Sequence, residues 1–146
     1  MIIKKTAEFD CAHLLSNHMG GCQNLHGHTY KIIVGVSDSK DNLIKTGSST
    51  GMIIDFKDLK RSLNNLISQL DHAFVYNSTD SFQVKLTALL QNEGKKTFEM
   101  KTETTVENMA QLFLIMLKNE IPNVHCIEIW ETPTSSCYLE ASELEL

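Results

Sequence analysis

The sequence predicts an α+β domain, an antiparallel sheet that carries its helices on one face. Stretches alternating with period 2 open and close the chain, and two stretches of helical periodicity lie between them. The predicted order is strand, strand, helix, helix, strand, strand, in one domain spanning residues 1–146.

Residues 1–15 read as the first strand, with Ile3, Ala7, Phe9, Cys11 and His13 on one parity against Lys4, Thr6 and Glu8 on the other. Gly20 and Gly21 mark a turn, and HTYKIIVGVSD follows as a second strand rich in β-branched and aromatic residues. The two form a hairpin whose long connection holds Cys22. Residues 37–51 are a polar loop. Asp55 then caps a helix with Asp58 in its first turn, and Phe56, Leu59, Leu63, Leu66, Ile67 and Leu70 form its core-facing stripe.

Residues 78–102 carry little pattern, SFQVKLTALL being weakly amphipathic and NEGKKTFEMK turn-like. Thr104 with Glu107 fits a capping box for the second helix, which buries Val106, Met109, Ala110, Phe113, Met116 and Leu117 and stops before Pro122. HCIEIWE and CYLEASELEL are the last two strands, joined by a turn over Thr132–Ser136.

A chain of 146 residues with 42% hydrophobic and 21% charged residues has the composition of an ordinary globular protein. No apolar run approaches the roughly 20 residues that span a bilayer, which argues against a membrane partner. The net charge of -5 argues against a general nucleic-acid binder, which needs a clustered basic face. The opening MIIKKTAEFD has no apolar signal-peptide core, and the four cysteines form no C-x-x-C pair. Both point to the cytoplasm and to free thiols.

The chemistry concentrates in CQNLHGH, residues Cys22 to His28. His26 and His28 stand two apart, so a strand puts both imidazoles on one face, about 6.5–7 Å apart at the backbone. Gly27 between them leaves the opposite face open or lets the backbone bend. His13, across the hairpin, can supply a third nitrogen, and three histidines with a vacant fourth position describe a catalytic zinc site. Cys22 has two readings. As a fourth ligand it closes a structural tetrahedron; unbound beside the ion, its thiolate is favoured and acts as a base. Asp71 and His72 follow the first helix, where the acid either orients the imidazole for proton transfer or merely ends a helix with a residue that suits the dipole. Glu131 is either a solvated strand end or a fork for a planar amidine-like edge.

Taken in order, FDCAHLL, CQNLHGHTYK, GMIIDFKDLK, LDHAFVYN, TTVENMAQ and EIWETPTSSCYLE resemble the 6-pyruvoyltetrahydropterin synthase / 6-carboxytetrahydropterin synthase family, from Phe9 to about Glu140. The gap of three residues between Cys22 and His26 resembles the carboxy-forming bacterial branch. The resemblance implies a tunnelling fold in which the sheets of three subunits close into a barrel and two trimers stack into a homohexamer. It implies Zn2+ on His13, His26 and His28, a catalytic Cys22, a catalytic Asp71–His72 pair, a pterin-anchoring Glu131, and a Thr105-x-Glu107 segment at the pocket of a neighbouring subunit. The implied activity converts 7,8-dihydroneopterin triphosphate to 6-carboxy-5,6,7,8-tetrahydropterin, with loss of triphosphate and acetaldehyde, in queuosine-type 7-deazaguanine biosynthesis. A pyruvoyl-forming triphosphate lyase is the related alternative. The alternative of another class is a non-catalytic zinc domain in which one cysteine and three histidines close the metal. Thr104 stands where many bacterial members have Pro, and the 78–102 segment is longer than in compact members.

Overall fold

The computed structural model describes residues 1–144. Strands β1 (Ile2–His13) and β2 (His26–Ser37) pair antiparallel without a break, from Ile2 opposite Ser37 to His13 opposite His26. Partners opposite one another share a face, so Phe9, Cys11 and His13 lie on the same side as Tyr30, His28 and His26. Phe9 stacks on Tyr30 with centroids 5.3 Å apart and meets Phe113 edge-on at 6.4 Å.

Two helices cover that face. Helix α1 (Phe56–Leu70) starts where the Asp55 carboxylate accepts the Lys57 N–H at 2.8 Å, and buries Leu59, Leu63, Leu66 and Leu70. Phe56, read as part of its stripe, stays exposed at the first helical position. The second predicted helix (Val106–Glu120) buries Met109, Ala110, Phe113 and Leu117 as expected, but its cap lies one residue later than the capping-box reading. Thr105 accepts the Asn108 N–H, while the Thr104 hydroxyl is drawn inward to the Leu14 carbonyl at 3.3 Å and is fully buried.

The segment between these helices departs most from expectation. It holds strand β3 (Ala73–Asn77), helix α2 (Ser81–Asn92) and strand β4 (Thr97–Met100), so the helix from Val106 is α3. Strands β5 (Val124–Thr132) and β6 (Ser135–Glu140) complete a six-stranded sheet of order β4-β3-β1-β2-β5-β6. β3 pairs parallel to β1 and β4 parallel to β3, so the sheet is mixed rather than wholly antiparallel. The last predicted strand ends at Glu140 and a 3-10 turn follows over Ala141–Glu143; its final two residues, 145 and 146, lie outside the described residues.

Helix α2 also breaks the one-face rule. Ala73 and Val75 share the side of Cys11, so Phe74 and Tyr76 point the opposite way, with Ala12. Leu86 and Leu90 of α2 line a cavity together with Phe74 and Ala12, and Gln91 donates to the Thr97 hydroxyl, the register partner of Phe74. α2 therefore packs opposite α1 and α3. Its buried positions are polar. Gln83 is fully buried, accepts the Asn77 N–H at 2.9 Å and donates to the Leu14 carbonyl at 3.3 Å, tying β3 to the chain leaving β1.

Replacing Gln83 by Leu orphans the Asn77 N–H, a loss of about 1–3 kcal/mol for a buried donor. Urea unfolding should show a lower midpoint for Gln83→Leu, whereas Gln91→Leu, exposed, should change stability by less than about 0.5 kcal/mol. Equal midpoints for the two variants would remove the brace assigned to Gln83.

Candidate metal centre and active site

The β1–β2 register carries the first cluster. His13, His26 and His28 lie on one face at the loop end of the hairpin, and one ring nitrogen from each falls within 4.8 Å of the others. Gly27 is required between the two β2 histidines, because a Cβ there would come within 2.9 Å of the Cys11 carbonyl oxygen. The outer contacts select tautomers. His13 Nδ1 lies 2.8 Å from the Thr104 carbonyl and His26 Nδ1 2.7 Å from the Asn24 carbonyl, so each Nδ1–H donates and each Nε2 lone pair is left free. Burial holds the His13 pKa below its ordinary value, outweighing the Thr104 carbonyl, which favours the charged form. His13 is thus neutral near pH 7, as a ligand must be. Three imidazoles so placed fit a divalent metal.

Two further groups border the cluster. The Glu131 carboxylate Oε1 stands 3.6 Å from His13 Nε2 and 3.8 Å from His28 Nε2. Tyr30, fully buried, donates its hydroxyl to Glu131 at 3.3 Å and lies 3.4 Å from His13 Nε2. Burial pushes the Tyr30 phenol well above its usual range, and the Cys11 thiol and the Glu131 carboxylate add to that, so it remains a donor. Tyr30 was readable in the sequence as the next residue on the parity of His26 and His28. Thr104 was not, because it acts through its backbone carbonyl.

Cys22 sits half-buried in the 3-10 turn Gly21–Gln23, and its carbonyl accepts the Leu15 N–H at 2.8 Å. The close-set nitrogen group comprises the three histidines without its sulfur.

Asp71 and His72 form the second cluster, on the other face. Asp71 is the C-cap of α1, its carboxylate 3.0 Å from His72 Nδ1. Asp10, missed in the sequence, completes the group: its N–H donates to Asp71 Oδ1 at 2.9 Å, its carbonyl accepts the His72 N–H at 2.6 Å, and its carboxylate accepts the Thr29 hydroxyl. Asp10 and Thr29 have the parity opposite to that of His13 and His28, which fixes the face. The Asp10 N–H, then the His72 side chain, hold the Asp71 carboxyl below the usual carboxylate range. His72 has φ 61°, the single positive value at a non-glycine residue among those described. That conformation costs roughly 1–3 kcal/mol and persists where surrounding bonds over-determine it. His72 and Asp10 border a cavity of about 630 Å³ shared with Leu86, Leu90 and Lys96. Thr105 and Glu107, at the start of α3, make no hydrogen bond to either cluster among the described residues, and Glu107 is exposed.

Fold and clusters together define a tunnelling-fold protein with a three-histidine cluster able to hold a metal and a separate carboxylate–imidazole pair. The chain belongs to the 6-pyruvoyl tetrahydropterin synthase family, whose profile matches residues 2–142. It is 44% identical over 137 residues to the 6-carboxy-5,6,7,8-tetrahydropterin synthase of Haemophilus influenzae, covering 92% of this chain and 95% of that one. Identity to the protein of the same name from Synechocystis is 32% over 136 residues, covering 92% and 89%. Among solved structures, the 6-pyruvoyl tetrahydropterin synthase of Caenorhabditis elegans shares the fold with a TM-score of 0.69 at 20% identity, covering 97% of this chain and 95% of that one. No helix among the described residues is long and apolar enough to cross a membrane.

The thiols should separate by reactivity. Burial, with Asp10, Asp71 and Glu131 nearby, pushes Cys11 up to about 12, and Cys126 is buried. A small alkylating reagent at neutral pH should label Cys22 first, and Cys11 and Cys126 only after unfolding, read by peptide mass spectrometry. Labelling of Cys11 at the rate of Cys22 in the folded protein would contradict this placement.

Proposed function

We propose that this chain is a single-domain, cytoplasmic, zinc-dependent lyase that converts 7,8-dihydroneopterin triphosphate to 6-carboxy-5,6,7,8-tetrahydropterin, releasing triphosphate and acetaldehyde, in the route to queuosine-type 7-deazaguanines. The observation that carries the reading is the 44% identity, across nearly both whole lengths, to a relative bearing that activity's name. The three-histidine cluster supports it.

His13, His26 and His28 would hold the zinc through nitrogens whose opposite ring atoms are engaged by backbone carbonyls in two of the three cases. Zinc bound there supplies Lewis acidity to the oxygens of the substrate side chain, acidifying the adjoining C–H bonds. Cys22, outside the ligand group, serves as thiolate base on one side of that chain. His72, oriented by Asp71, donates or accepts the proton on the other. Glu131 receives the pterin amino and ring N–H edge, and Thr105 with Glu107 contribute to the pocket of a neighbouring subunit. The rearrangement is internal, so no external redox cofactor is required.

The two clusters occupy opposite faces of one sheet, which supports a site completed between chains. We place it in a homohexamer built as a dimer of trimers, with Cys22 and the metal from one subunit and Asp71–His72 from another.

Cys22→Ala should keep full zinc, by metal analysis, and lose turnover; loss of zinc together with folding would sink the base assignment. Acetaldehyde among the products, identified by mass spectrometry, is expected for the carboxy-forming reaction. A pyruvoyl product would move the chain to the related lyase, and full zinc with no turnover by the wild type would favour a non-catalytic zinc domain. Co-expressed Cys22→Ala and His72→Ala chains, each with only residual activity alone, should recover roughly a quarter of wild-type activity, since random mixing makes that share of composite sites intact. Isolated mixed oligomers without activity would refute the shared site.

A further inference from the structure

We infer that Lys96 is a positioning residue for the Asp71–His72 pair, its ammonium gripping the peptide that joins them. The inference rests on the catalytic role proposed for His72.

Helix α1 ends with carbonyls that have no helical donors. It carries no basic residue in its last turn to meet them. Lys96, just before β4, supplies the missing cation from across the fold. Its Nζ donates to the Ser68 carbonyl at 2.5 Å and to the Asp71 carbonyl at 2.7 Å. The first bond satisfies the helix end and opposes the negative end of its dipole. The second falls on the peptide between Asp71 and His72, immediately before the residue held at φ 61°.

The turn is thereby held from two sides. On one, Asp10 of β1 binds the Asp71 carboxylate and the His72 N–H. On the other, Lys96 fixes the Asp71 carbonyl, and its own carbonyl accepts the Phe74 N–H at 3.0 Å, so the lysine backbone is registered against β3 two residues past the histidine. Without the ammonium, the Asp71–His72 peptide keeps the Asp10 carbonyl on its N–H but loses the second contact that sets its plane. The backbone can then relax toward negative φ, carrying the imidazole out of line with the Asp71 carboxylate. Exposed lysines paired with carboxylates are worth little. Lys96 differs in that both of its acceptors are backbone carbonyls, one at the end of α1 and the other at the strained turn.

The test compares wild type, Lys96→Met, His72→Ala and the double variant, with Lys96→Arg as the conservative replacement. Lys96→Met should lower kcat on the order of tenfold, as small misplacements of a reacting group do, with KM changed less than about twofold. In the His72→Ala background the same substitution should cause no further loss, because the lysine acts through the histidine. Lys96→Arg should restore most of kcat, since a guanidinium can also donate to two carbonyls. Equal fractional losses in both backgrounds, or no loss in either, would overturn the inference.

A second readout does not depend on turnover. The imidazole 15N shifts of His72, which report the tautomer set by Asp71, should move in Lys96→Met and return in Lys96→Arg. If His72→Ala keeps full activity while those shifts move, the catalytic reading of His72 fails and the positioning role stands. If His72→Ala is inactive and Lys96→Met alters neither shifts nor kcat, the positioning role alone is lost.

Discussion

The pairing of β1 with β2 sets the position of every metal-directed side chain, because side chains alternate faces along a strand. His13 lies opposite His26 and Cys11 opposite His28, so three imidazoles meet on the face that Tyr30 and Phe9 share with the core. A slip of one residue would turn His26 and His28 to the far face and bring Gly27 and Thr29 into their place. Two features hold the register. The Phe9–Tyr30 stack and the buried Ile32, Val34 and Val36 lose their core contacts in any shifted pairing. Gly27 allows a backbone approach to Cys11 that no other residue permits.

From that register follows a division of chemistry between the two faces. On the helix-covered side, burial keeps His13 neutral, and carbonyls from Thr104 and Asn24 leave Nε2 lone pairs free on His13 and His26. On the other side, Asp10, Asp71 and His72 are charged or chargeable and open to solvent or cavity. A buried neutral imidazole such as that of His13 suits a metal ligand. A group that exchanges protons is served by an ionised carboxylate beside an accessible imidazole.

How much of this was legible depended on where pattern and burial agreed. β1, β2, α1 and α3 carry regular apolar spacing, and their burial follows it. α2 was not readable because it inverts the usual rule: its buried positions include Gln83 and Thr87, while Phe82, Val84 and Leu89 are exposed. β3 was hidden within LDHAFVYN, whose chemical residues drew attention from the strand that follows them. β4 is only four residues long and begins just after the turn-like Gly94–Lys96. Within the candidate site, the H-x-H spacing announced its own face, and Tyr30 followed from the same parity. Thr104 and Asp10 act through backbone groups, which residue identity does not disclose. Lys96 binds backbone 25 and 28 positions away, a distance that spacing arguments do not reach.

The placement of the three histidines within the first 28 positions has a consequence for biosynthesis. During translation they leave the ribosome well ahead of Asp71 and His72, and the hairpin that gathers them closes over the shorter of the two loops. The acid–base pair must wait until Cys11 meets Ala73, after α1 has been made, and closing that larger loop costs more entropy. The shorter loop therefore favours the pairing that gathers the histidines ahead of the one that seats the Asp71–His72 turn, while the Thr104 carbonyl that orients His13 arrives later still.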